Sequence, residues 1–240
     1  MTRAPSLRAT LTAGALTFAT LSASGSRVSA QVVGALPERS PFADVTGGHR
    51  VGIVAGYMAT GRDPAGVGPK GGPMLGVRYD LHAGGPAYLS ARFFGFSSER
   101  DILDYTKKAA QRRVGTQSGA IGGTELGLTL AATGDRSWRR LQPLVHAGVG
   151  LVFSIGDRND VSGYRFPTAF SFSWGLGARY VTGRNSQLRA DVSWLHWGIK
   201  YPESYRSTEG DTVAIRPSGT LSPGTWNRAL TVSWTWGIFR

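Results

Sequence analysis

The chain has no cysteine among its 240 residues, which excludes a disulfide framework, thiolate metal sites and thiol catalysis. Acidic residues are scarce: 15 Asp and Glu stand against 27 Lys and Arg, for a formal charge of +12. The four histidines, His49, His82, His146 and His196, lie far apart without ligand spacing, so neither a metal nor a cofactor is expected. Also missing is any apolar run approaching the roughly 20 residues of a membrane helix, so any spanning must be done by strands. Helical repeats, linkers and low-complexity tracts are absent, and one domain is expected from about Arg50 onward.

What is present begins with a leader. Arg3 and Arg8 form a basic n-region, Leu11 to Leu21 an apolar core, and Val28-Ser29-Ala30 a small-residue cleavage site. That pattern predicts a secretory signal peptide over 1–30 with cleavage before Gln31, then a periplasmic N-terminal segment over 31–49 and the main domain over 50–240. The mature chain keeps a charge of about +9 once Arg3, Arg8 and Arg27 are removed. An exported chain seldom meets nucleic acid. Its anionic neighbours are expected to be phosphorylated lipid headgroups or lipopolysaccharide.

Residues alternate with period two over most of the remaining length. Leu230, Val232, Trp234, Trp236 and Ile238 share one face, and Ala229, Thr231, Ser233, Thr235 and Gly237 the other. Such alternation marks a strand with one apolar and one polar face. Eight strands are predicted, near Arg50–Met58, Met74–His82, Ala87–Ser97, Ser118–Ala131, Trp138–Phe153, Ala169–Val181, Gln187–Gly198 and Asn227–Phe239, with a bulge suspected at Gly122-Gly123. The connections alternate long and short, and the short ones contain turn chemistry: Gly84-Gly85-Pro86, Gly134-Asp135 and Gly183-Arg184-Asn185. The expected fold is therefore all-β, an eight-stranded antiparallel up-and-down transmembrane barrel with both termini on the side of the short turns.

Glycine decides which face is inside. It makes up 34 residues, about twice the usual share. Gly52, Gly56, Gly76, Gly127, Gly148, Gly150, Gly175 and Gly177 fall on the polar face. A water-facing strand surface has no reason to be glycine-rich, whereas the interior of an eight-stranded barrel is crowded. The polar face also carries Arg78, Arg92, Arg179 and Arg189 with Asp80, Glu125 and Asp191, a set that can pair if enclosed. Aromatic residues near the strand ends of the apolar face (Tyr57, Phe93, Trp138, Phe153, Phe170, Tyr180, Trp194, Trp236) suit two interfacial girdles. On this pattern the chain resembles the small outer-membrane barrels of the OmpA-like and OmpW-like class. The resemblance implies a bacterial outer-membrane location and insertion by the outer-membrane assembly machinery. Such barrels usually end in a lipid-phase phenylalanine; here Phe239 is penultimate and out of phase with Trp236 and Ile238, and Arg240 follows.

Few constellations suggest chemistry. Gly66-Val67-Gly68-Pro69-Lys70-Gly71 matches a dinucleotide glycine pattern by letter, but a strand rather than a helix follows, and it is read as a loop. Asp191, Ser193 and His196 crowd one strand, yet period two turns His196 to the opposite face. The chain is similar in size to eight-stranded lipid A deacylases, which carry a histidine and a serine two residues later on the lipid-facing surface. Here Gly198 holds the serine's place, so His196 is only a weak catalytic candidate; the plainer reading is a histidine beside Trp194 and Trp197 at the outer interface. Asp101, Asp104, Lys107, Lys108, Arg112 and Arg113 make the second long loop densely charged, suiting either a solvated loop or contact of its four cations, Lys107, Lys108, Arg112 and Arg113, with lipopolysaccharide phosphates. The expected function is a structural or surface-interaction barrel with a plugged, charged lumen, working as a monomer. A narrow pore or conduit for small hydrophobic molecules and a lipid A-modifying hydrolase are the alternatives.

Overall fold

The computed structural model describes residues 40–45, 48–156, 159–209, 211 and 213–239. The expected leader over 1–30 and the terminal Arg240 lie outside them. Ten strands form among the described residues: β1 (Phe42–Asp44), β2 (His49–Ala59), β3 (Gly72–Gly84), β4 (Ala87–Leu103), β5 (Arg113–Ala131), β6 (Arg136–Trp138), β7 (Leu141–Ile155), β8 (Ala169–Val181), β9 (Ser186–Gly198) and β10 (Gly224–Phe239). Eight of them, all but β1 and β6, pair antiparallel with their neighbours, and β10 returns to pair with β2, closing a barrel. Among the described residues no helix is long and apolar enough to cross a membrane.

The register fixes the barrel's dimensions. Paired residues lead around it from His49 through Leu81, Leu89, Leu128, Ala147, Trp174, Trp194 and Arg228, arriving back on β2 at Ala59, ten residues from the start. A shear of ten over eight strands, with about 3.3 Å rise and about 4.8 Å between strands, tilts them by roughly 40° on a cylinder of about 8 Å radius. Only side chains fit inside such a cylinder.

The faces follow the period-two reading. Leu75, Val77, Leu126, Leu128, Leu130, Val145, Val149, Leu151, Phe170, Leu176, Leu230 and Val232 are exposed on the outside, while Arg78, Asp80, Arg92, Glu125, Arg179, Arg189 and Asp191 are buried inside. Gly122-Gly123 makes no bulge: β5 keeps continuous register there with both neighbours. The two glycines serve opposite faces instead. A Cβ on Gly122 would strike the Phe153 ring, and one on Gly123 the Phe94 ring. Register shifts occur at His82/Gly84, Ile102/Leu103 and Gly237/Phe239. The last sets Phe239 opposite His49, so a strict two-residue count does not carry through to it.

Three expectations on strand extent change. β4 and β5 run beyond the barrel as a long hairpin over 98–103 and 113–119, paired to each other. Trp138 leaves the fifth barrel strand for β6, because Arg139 and Arg140 adopt φ of 48° and 69° and turn the chain there. Within the 31–49 segment, Phe42–Asp44 pairs with β6 at the end of the barrel that carries the short turns.

Candidate functional site

Strand phase brings seven predicted charges into the lumen, and shear decides which of them meet. Arg78 on β3 and Arg189 and Asp191 on β9 come from opposite walls. Arg78 Nη1 lies 3.0 Å from Asp191 Oδ2, and Arg189 Nε reaches both Asp191 oxygens at 2.8 and 2.9 Å. Asp80 closes a ring of alternating charge, 3.5 Å from Arg78 Nε and 4.0 Å from Arg189 Nη1. Arg92 and Glu125 are cross-strand partners at 2.8 Å. Arg179 departs from expectation. It has no carboxylate within ion-pair distance among the described residues; its guanidinium stacks 4.3 Å from the Tyr88 ring centroid and donates to Gln142 Oε1 at 3.2 Å. A cation on an aromatic face is stabilised by the ring quadrupole.

Two interior residues were not singled out from the sequence. Arg50 is buried in the same lumen, giving five arginines to three carboxylates there among the described residues. His146 on β7 reaches across β8 to β9, with Nε2 3.0 Å from Ser193 Oγ and Nδ1 3.6 Å from Asp191 Oδ1. Gly175 on the intervening strand makes this possible, since a Cβ there would strike the imidazole; Gly177 likewise clears Asp191. The trio has the order of a hydrolytic triad, but Asp191 is already held by two arginines and Ser193 is 0% exposed. Without substrate access it serves as packing and hydrogen bonding.

Above the charges the lumen becomes apolar. Met58, Met74, Phe94, Phe96, Ile121, Val152, Leu195 and Trp197 pack together there with Phe166 from a long loop. A second cluster of Val67, Tyr164, Ile199, Tyr201 and Tyr205 joins three long loops. Asp63 organises it, accepting from the backbone N–H groups of Ala65, Gly66 and Gly68 and from the Tyr201 hydroxyl. Arg100 pairs with Asp160 at 2.5 Å and lies over the Tyr164 ring. Burial pushes the Tyr205 hydroxyl up to about 12 and those of Tyr164 and Tyr201 higher still.

The predicted loop cations divide. Lys107 is exposed beside Asp104 at 3.8 Å, Lys108 precedes a 3-10 turn at Ala109–Gln111, and Arg113 is exposed 3.0 Å from Asp101. Arg112 is a correction: it is buried, donates to the carbonyls of Lys107 and Val213, and lies 3.9 Å from Asp211. It fastens this loop to the one before β10. His196 lies on the outer face of β9 against Trp226, ring centroids 4.9 Å apart. Trp197 is not beside it but in the lumen, at 1% exposure. No group of His, Asp or Glu among the described residues could hold a metal.

No protein-family model and no curated protein matches the chain. Among solved structures it is similar to Neisserial surface protein A, at 10% identity over 83% of this chain and 98% of that one, with a TM-score of 0.49. Similarity to the outer membrane protein OprG from Pseudomonas aeruginosa is at 9% identity over 81% and 99%, TM-score 0.48. The attachment invasion locus protein Ail of Yersinia pestis follows at 12% identity over 79% and 99%, TM-score 0.35.

Proposed function

We propose that this closed eight-stranded barrel resides in a bacterial outer membrane as a structural or surface-interaction protein with a filled lumen. One observation carries the reading, the inversion of polarity between its two faces. Leucines, valines and tryptophans stand exposed around the outside while arginines and carboxylates are buried within. In water the outer band would be a large aggregation-prone patch; in hydrocarbon it is the expected solvent. Export by the 1–30 leader and insertion by the assembly machinery belong to the same reading, as does a monomeric state.

The filled lumen supports an interaction role over conduction. A charged storey below and an apolar storey above both consist of buried side chains, with loops packed over them. A hydrolase acting on lipid A finds no support at His196, whose ring contact is Trp226. Lys107, Lys108 and Arg113 remain available to lipopolysaccharide phosphates at the loop end; Arg112 does not.

The test is migration on gels with and without boiling, joined to conductance in planar bilayers. The folded protein should require detergent, shift on heating and conduct no steady current. A water-soluble protein would overturn the membrane reading, and discrete open channels would overturn the filled lumen.

A further inference from the structure

The outward face of the barrel is almost free of charge. Apart from Glu99, Asp101 and Arg113, near the tip of the long β4–β5 hairpin, Arg228 is the one charged residue exposed at an outward position of the eight strands among the described residues. Its guanidinium has no ion-pair or hydrogen-bond partner among them. An unpaired arginine facing lipid is costly at mid-depth and tolerated only at the boundary.

Arg228 stands at that boundary. On β10 the exposed apolar residues Ile238, Trp236, Trp234, Val232 and Leu230 lead up to it, and Trp226 lies beyond. It is two residues past Leu230, about 5 Å further along the barrel axis at the strand rise and tilt above, and it pairs with Ala59, the last residue of β2. The surface beyond it is built to leave room. His196 pairs with Trp226 and is therefore a diagonal neighbour of Arg228, about 7–8 Å away. Gly198 pairs with Gly224; the imidazole of His196 lies over Gly224, where a Cβ would strike it, while the place of a Cβ on Gly198 is open.

We propose that Arg228 and His196 bind the phosphate of a membrane lipid headgroup beside Trp226. The proposal rests on the membrane reading above. Guanidinium binds phosphate in a planar, bidentate manner, a long side chain can rise from the apolar band to meet it, and an indole at the same level suits the headgroup region. Charge complementarity selects the occupant, because the site offers donors and no carboxylate.

The test is lipid retention by the purified full chain in non-ionic detergent, read by native mass spectrometry with bis-phosphorylated lipid A as the probe. Arg228→Leu should reduce retention about fivefold, the effect of one near-surface cation, and His196→Phe should reduce it less. Arg228→Lys should keep part of it. Dephosphorylated lipid A should bind weakly to all forms, and inorganic phosphate should not displace the lipid. Retention unchanged in Arg228→Leu, equal binding of the dephosphorylated lipid, or displacement by inorganic phosphate would each overturn the assignment. Should Arg228→Leu fail to fold, Arg228→Gln carries the same expectation. The heat-dependent gel shift separates the two readings: its absence in the unsubstituted protein sinks the membrane reading, and its presence with a negative lipid result sinks this one alone.

Discussion

Asp191 accepts from Arg78 and Arg189 at once, so its loss would leave two buried guanidinium groups sharing the single carboxylate of Asp80. Removing one partner of a buried ion pair costs about 3–5 kcal/mol. Asp191→Ala should therefore destabilise the barrel by at least that much in urea titration. Glu125→Ala should fall in the same range, because it strands only Arg92. Arg179→Met should cost less, since Arg179 leaves no carboxylate behind. Equal losses in all three would mean that the interior is wet. The loop tyrosines report a different environment. Burial favours their neutral form, so folded Tyr205 titrates near 12 rather than the ordinary value of about 10. A group whose proton is held more tightly when folded contributes stability that is complete below pH 10 and lost as pH rises toward 12. Ultraviolet titration should show three tyrosines ionising late and together as the loop cluster opens; ordinary titration of every tyrosine would refute this.

At the scale of elements, the turn between β6 and β7 is the least comfortable piece of backbone. Arg139 and Arg140 both sit at positive φ, a conformation suited to Asn and Gly. Replacing the pair by Asn-Gly should raise stability by roughly 1–2 kcal/mol, measured as a shift in the urea midpoint. Most of the strands were legible in the sequence because a barrel in lipid imposes alternation on every spanning residue. Where lipid ends, the signal ends too. Ser98, Glu99, Arg100 and Asp101 are polar in succession, so the outer part of β4 shows no period although it is paired. β1 and β6 have three residues each, too few to show one. The lumen residues were legible as a set but not as partners. Period two gives the face a residue points to, whereas depth depends on shear, which no single strand's pattern contains. That is why Arg179 meets Tyr88 rather than an acid, and why His146 meets Ser193 across an intervening strand.

At the scale of the molecule, the closing seam joins β2 to β10 from opposite ends of the described chain, and the ring of Asp80, Arg78, Asp191 and Arg189 bridges walls that meet only after closure. Contacts so distant in sequence form late. Interactions absent from the transition state slow unfolding and leave the folding rate nearly untouched. The charge ring therefore acts as a latch on escape. Loosening it by Asp80→Asn should shorten the lifetime of the folded barrel in concentrated urea while refolding proceeds at its former pace. Two proteins of equal equilibrium stability, one with the ring and one without, would then differ chiefly in how long each persists once conditions turn hostile.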